Sequence, residues 1–321
     1  MSHEQLGEQI ARHMDADGIV DTLIPRLTLV RWSQPGEPVH MLQRPALCII
    51  AQGAKQVMMG DAVIAYGPAS YLVASLDLPI TGTVTQADAD SPYLCFCLYL
   101  DPAMLSEIAL TLPAAAAVEE GRALSLHPIT PELLDAASRL TSLLGQLDSA
   151  ALLAPLVERE LLLRLMMGPS GGLLRPIASG DSRTGQIARA IRWLKAHYRE
   201  PFSGPVLADL AGMSLSSFHD HFRRATAMTP LQYQKDLRLI EARRFDLYDD
   251  PMPDLQSFEG YAGETASVLY QLAAMILNDG NEIETEYFRL QREWRVERQM
   301  HARDIRAAGN DPARRAEVDA R

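Results

Sequence analysis

The sequence predicts an α+β protein: a small β-barrel or sandwich with flanking helices, then an all-α part with a helix-turn-helix, and an atypical helical C-terminus. Three observations predict it. Short β-rich runs separated by turn residues occupy the chain from Leu27 to about Leu100. From Asp101 onward apolar residues recur at helical spacing. A Gly/Pro/Ser-rich stretch at 168–184, GPSGGLLRPIASGDSRT, divides that helical sequence in two and reads as a linker. With 321 residues, 47% of them apolar, the chain can build two hydrophobic cores.

The first residues, MSHEQLGEQIARHMDADG, alternate charge with isolated apolar side chains and read as an N-terminal extension, 1–19. No stretch approaches the roughly 20 apolar residues that span a bilayer. A cytoplasmic protein without a membrane partner is therefore expected. The strand candidates follow as LTLVRW, PALCIIAQG, KQVMMGDAVIAYGP, SYLVASL, ITGTVTQ and YLCFCLYL, with turns at Met59-Gly60-Asp61 and Tyr66-Gly67-Pro68. Cys48, Cys95 and Cys97 fall in these strands, and an odd number of cysteines suits reduced, buried thiols better than a disulfide framework. Cys95 and Cys97, two apart, face the same side of one strand.

Helices are expected at 102–111, 131–147 and 153–167; in the second, Leu133, Leu134, Ala137, Leu140, Leu144 and Leu147 form a stripe. The glycines of the linker are not followed by Gly-Lys-Ser/Thr, so they do not make a phosphate loop. After the linker, Ile187, Ile191, Leu194 and Tyr198 mark another helix, stopped by Glu200-Pro201.

The net charge is −11, which seems to disfavour a nucleic-acid partner, but the charge is unevenly spread. Lys and Arg number 10 against 20 Asp and Glu in residues 1–182, 11 against 5 in 183–244, and 9 against 16 in 245–321. Only the middle segment is basic, and a local positive patch suffices to approach phosphates.

That basic segment contains the helix-turn-helix. Ser203 stands where a helix cap belongs, Pro205 fits the first turn, and Gly212 in Ala211-Gly212-Met213 can take positive φ in a tight reversal. Ser214 caps the next helix. Advanced at about 100° per residue, that helix turns Leu215, Phe218, Phe222 and Ala225 inward. Ser216, His219, Asp220 and Arg223 fall on the opposite side, flanked by Ser217 and Arg224. Hydroxyls, an imidazole and guanidinium groups on one face suit phosphates and guanine edges of double-stranded DNA. Asp220 repels phosphate and fits only as an acceptor from a cytosine amino group or as a support for a neighbouring Arg. Thr229-Pro230 opens a further helix to about Arg244, with Lys235, Arg238, Arg243 and Arg244 placed for the DNA backbone.

The run LADLAGMSLSSFHDHFRRATAMTPLQYQKDLRLIEARR resembles the first helix-turn-helix and linker helix of AraC-type transcription regulators, with A-G-M-S at the turn and T-P-L-Q-Y after it. Upstream, RPALCIIAQGAKQVMMGD and YLVASLDLPITGTV resemble the N-terminal sensor domain of one branch of that family. The resemblance implies a cupin-like barrel followed by helices over 20–167, binding a small-molecule effector or mediating a homodimer, with the dimer contact on the helices at 131–167. Trp32, His40 and Tyr71 are candidates to line an effector pocket. Catalytic cupins use a histidine pair and a glutamate; here His40 alone lies near the strands, so neither a metal, a cofactor nor enzymatic activity is expected.

The resemblance stops at Phe245, where the family's second helix-turn-helix belongs. The run FDLYDDPMPDLQSFEGYAGETASVLYQLAAMILNDG instead resembles a fragment of the squalene/phytoene synthase family. Between Phe245 and Phe288 there are ten acidic residues and no Lys or Arg, which rules out phosphate contacts there. Asp246, Asp249, Asp250 and Asp254 resemble the magnesium-binding aspartates of prenyl-diphosphate enzymes, but Pro251 and Pro253 break the helix that would present them. The expected order is extension 1–19, sensor 20–167, linker 168–184, DNA-binding domain 185–244, synthase-like fragment 245–282 and charged helical tail 283–321. The leading expectation is a sequence-specific DNA-binding regulator. The alternatives are a dimerising sensor without DNA binding and, more remotely, an inactive isoprenoid synthase fragment.

Overall fold

The computed structural model describes residues 2–113, 121–178 and 182–248. The synthase-like fragment, apart from its first residues, and the charged tail lie outside them. Met1–Ile240 form one compact unit.

The chain opens with helix α1 (His3–Arg12), closed by a capping box in which Ser2 and Gln5 exchange side-chain and backbone hydrogen bonds. Ten strands follow: β1 (Gly18–Asp21), β2 (Leu27–Trp32), β3 (Val39–Gln43), β4 (Ala46–Gln52), β5 (Ala54–Met59), β6 (Ala62–Tyr66), β7 (Ser70–Ala74), β8 (Leu78–Gln86), β9 (Tyr93–Tyr99) and, after helix α2 (Pro102–Thr111), β10 (Leu124–Pro128). They form two antiparallel sheets, ordered β1-β2-β9-β4-β7-β10 and β3-β8-β5-β6. Among the described residues no ladder joins the sheets, so the architecture is an open sandwich and not the closed barrel that the resemblance implied.

Gly53 explains the change of sheet. It sits at φ +80° between β4 and β5, and an added Cβ would lie 2.4 Å from the Gln86 carbonyl oxygen. The chain passes there from one sheet to the other, with register shifts on both sides, at Ile50/Gln52 and Ala54/Lys55.

Side-chain alternation then divides the core in two. Cys48, Ile50, Leu72, Cys95 and Cys97 of the larger sheet share one apolar cluster with Val57, Met59, Leu78 and Ile80 of the smaller one. Leu47, Ile49, Val73, Phe96 and Leu98 point the other way, into a second cluster with α1, α3 (Pro131–Ser142) and α4 (Leu147–Met167). Thr130 caps α3, and the predicted stripe Leu133, Leu134, Ala137 and Leu140 is buried, each leucine stabilising by about 1.5–3 kcal/mol.

Two expectations need correction. The N-terminal extension is structural, because Leu6, Ile10 and Met14 are buried in the second cluster and β1 pairs with β2. The glycine-rich segment at 168–184 is not an open linker. It contains helix α5 (Gly171–Ala178), which buries Leu174, and Arg175 donates to the Met166 and Pro113 carbonyls. Ser170 begins this packing by sharing a hydrogen bond with Tyr71.

Candidate nucleic-acid interface

Four helices follow: α6 (Arg183–Ala196), α7 (Gly204–Ala211), α8 (Leu215–Thr226) and α9 (Pro230–Tyr248). Ser182 caps α6, which buries Ile187, Ile191 and Leu194 and ends at His197, before the predicted stop at Glu200-Pro201. Ser203 occupies the cap position of α7 without the side-chain hydrogen bond the sequence suggested. The turn is as predicted. Gly212 lies at φ +65°, ψ +37°, and the Met213 N–H donates to the Ala208 carbonyl, closing the helix in a Schellman-type arrangement. Ser214 then accepts from the Ser217 N–H and starts α8.

Burial on α8 follows the predicted faces with one exception. Phe218 and Phe222 are fully buried, and Phe222 meets Tyr233 of α9 edge to face at 5.4 Å. Leu215, expected inside, is 45% exposed, because at the first position of the helix it lies beyond the reach of that core. On the other side Ser216, Asp220, Arg223 and Arg224 are exposed and Ser217 and His219 half-buried. Among the described residues neither Arg223 nor Arg224 joins an ion pair. Thr229 and Gln232 cap α9 reciprocally.

Other cations of the basic segment are held by the fold. Arg238 donates to the carbonyls of Tyr198 and Glu200, which corrects its expected placement toward DNA. Lys195 pairs with Asp77 at 2.6 Å, and the Tyr233 hydroxyl donates to the Asp77 carbonyl at 2.7 Å. The Arg243 and Arg244 side chains lie outside the described residues.

The end of α8 abuts the smaller sheet. Gly60, at the β5–β6 turn, comes so close to Ala227 that an added Cβ would lie 2.6 Å from its carbonyl oxygen. The Ala123 N–H donates to the Ala225 carbonyl at 2.8 Å. Beside these contacts runs a cleft of about 660 Å³ lined by His40, Asp61, Thr81, Arg223, Gln232 and Asp236, among others. Burial raises the Asp236 carboxyl above the usual aspartate range.

The three effector candidates do not converge. His40 lines this cleft and shares a hydrogen bond with Thr81. Tyr71 belongs to the opposite, helix-covered face of its sheet, where it bonds Ser170. Trp32 ends β2 and is 38% exposed. The side chains that do gather between the sheets are Cys48, Cys95, Cys97, Tyr66 and Tyr93. Strand parity at 93, 95 and 97 carried that signal.

Residues 23–173 match the family described as AraC-type transcriptional regulator N-terminus. The matches support an AraC-type regulator. The AraC-like relatives include the HTH-type transcriptional activator RhaS of Yersinia pestis (strain Pestoides F), 35% identical over 72 residues, covering 22% of this chain and 26% of the relative. RhaS of Yersinia pseudotuberculosis serotype O:1b (strain IP 31758) matches with the same figures. The chain thus spans about a quarter of the length of these curated relatives. Among solved structures, ToxT from Vibrio cholerae is similar at 12% identity, with 65% of this chain and 93% of that one covered and a TM-score of 0.32. The AraC-like transcriptional activator CuxR overlaps at 14% identity over 70% of this chain and 79% of its own, also with a TM-score of 0.32. The AraC-type homology supports a transcription regulator with an N-terminal sensing domain. No helix among the described residues is long and apolar enough to cross a membrane.

Proposed function

We propose that the chain is a cytoplasmic, sequence-specific DNA-binding regulator of the AraC type, with α8 as its reading helix. The observation that carries this is the two-sidedness of α8: buried phenylalanines on one side, and Ser216, Ser217, His219, Asp220, Arg223 and Arg224 on the other. Arg223 and Arg224 supply guanidinium groups for phosphates or for guanine O6 and N7, the serines and His219 supply neutral hydrogen bonds, and Asp220 accepts from a cytosine amino group or orients an arginine. The positive balance of residues 183–244 supports the same reading. Residues 20–167 are proposed as the sensing and dimerising part and 185–244 as the reading part. Residues 245–282 are proposed as a fragment that lends neither DNA contacts nor synthase activity.

Selection of bound sequences from a random DNA pool tests this, run in parallel with Arg223→Ala and followed by a salt titration of the winning sequence. The unsubstituted chain is expected to enrich one motif whose binding weakens steeply with salt. Arg223→Ala is expected to relax one position of that motif, at about 1–3 kcal/mol for a lost bidentate guanine contact. If no motif is enriched while the chain still dimerises, the reading as a dimerising sensor without DNA binding replaces this one.

A further inference from the structure

The thiols between the two sheets are the strongest feature that DNA reading leaves unused. Cys48 on β4 and Cys97 on β9 are direct cross-strand partners, and their sulfurs lie 3.6 Å apart. We propose that Cys48 and Cys97 are an oxidative modification site, closing into a reversible disulfide when a small hydroperoxide enters the sandwich.

Geometry singles out this pair. Directly opposed residues of an antiparallel ladder have Cα atoms about 4.5–5.5 Å apart, inside the roughly 4.4–6.8 Å that a disulfide tolerates. The sulfurs therefore need to close by only about 1.5 Å, which side-chain rotation supplies without moving either strand. Cys95 has no such partner. It stands opposite Ile50, its diagonal to Cys48 is about 7–8 Å between Cα atoms, and Cys97 lies two residues along its own strand. Buried cysteines commonly serve as small apolar residues. Two in exact register with touching sulfurs go beyond that role. Both cysteines are free thiols.

The proposal takes Cys48 as the attacking sulfur. The hydrogen bond it shares with Cys97 lowers the Cys48 pKa against the opposing effect of burial, and the Lys55 ammonium helps. The same shared hydrogen bond and burial raise Cys97 well above its ordinary value, and burial pushes Cys95 up to about 12. The Cys48 thiolate attacks the terminal peroxide oxygen: an S–O bond forms, the O–O bond breaks, and the departing hydroxide or alkoxide takes a proton to leave as water or alcohol. Cys97 sulfur then attacks the sulfenic sulfur. The S–S bond forms, the S–O bond breaks, and the hydroxyl leaves as water with the Cys97 proton. Sulfur loses two electrons overall, and the hydroperoxide gains them.

The test treats the full chain with hydrogen peroxide, unfolds it in N-ethylmaleimide and maps the peptides by mass spectrometry. Alkylated cysteines are expected to fall from three to one, Cys95, with one intrachain Cys48–Cys97 peptide that dithiothreitol returns to three free thiols. Cys95→Ser is expected to preserve the link and Cys48→Ser to abolish it. Should either variant fail to fold, the peptide map of the unsubstituted chain decides alone. Three alkylated cysteines after peroxide, a bridge to Cys95 or between chains, or sulfinic acid at Cys48 without a bridge would each overturn the proposal.

Discussion

Asp236 shows what a single residue contributes. It lies on α9 at the cleft beside the end of α8, and burial raises its pKa. A carboxyl whose pKa is higher folded than unfolded adds stability below the unfolded value and loses it as pH rises through the folded one. Asp236→Asn is therefore expected to be more stable than its parent at neutral pH. The gap should close as pH falls toward the ordinary aspartate pKa of about 3.9. Urea unfolding in neutral and mildly acidic buffer measures both, and an equal gap at the two would refute the burial account. Residue by residue, α8 was legible from composition, because serine caps and phenylalanines four apart act locally. Leu215 was not. A helical wheel has no ends, and only the position of the neighbouring core shows that the first turn overhangs it.

At the scale of elements, one ion pair fastens helix α4 to the start of β2. Arg26 donates through Nε and Nη2 to both oxygens of Glu158, each at 2.8 Å, and Asp101 lies 3.5 Å from a third nitrogen. The Glu158 side chain is 3% exposed, and Arg26 lies at φ +69°. Breaking a buried pair leaves a charge uncompensated, so Glu158→Ala is expected to cost about 3 kcal/mol in chemical denaturation. A loss of under about 1 kcal/mol would class the pair with surface bridges. Elements differed in legibility for a physical reason. β2, β4 and β9 lie inside the larger sheet and read clearly from runs of β-branched, aromatic and cysteine residues. β1, β3 and β10 are short edge strands that no alternation reveals, and the partners of β3 and β10 come from distant sequence. Helix α5 was hidden by Gly171, Gly172 and Pro176, which read as breakers until α2 and α4 supply a surface for Leu174.

For the whole molecule, the outer face of α4 is proposed as the surface on which two copies meet. Leu152, Leu153, Leu156 and Met167 are 76%, 42%, 64% and 66% exposed, an apolar stripe on a helix of the proposed dimerising part. Leu156→Asp is expected to leave a monomer at concentrations where the parent chain sediments as a dimer. Unchanged sedimentation would remove α4 from the interface. Under the proposed function, dimerisation would serve DNA reading, because two linked helices raise each other's effective concentration at paired half-sites.

The apolar cluster between the sheets runs without a break into Phe218, Phe222 and Tyr233. The sandwich and α8 therefore rest on common ground, and neither half can be redesigned as though the other were absent. A bulkier side chain placed between the sheets would press toward the phenylalanines that hold α8 in place. The tolerance of this chain to change is set where strands and α8 share that cluster.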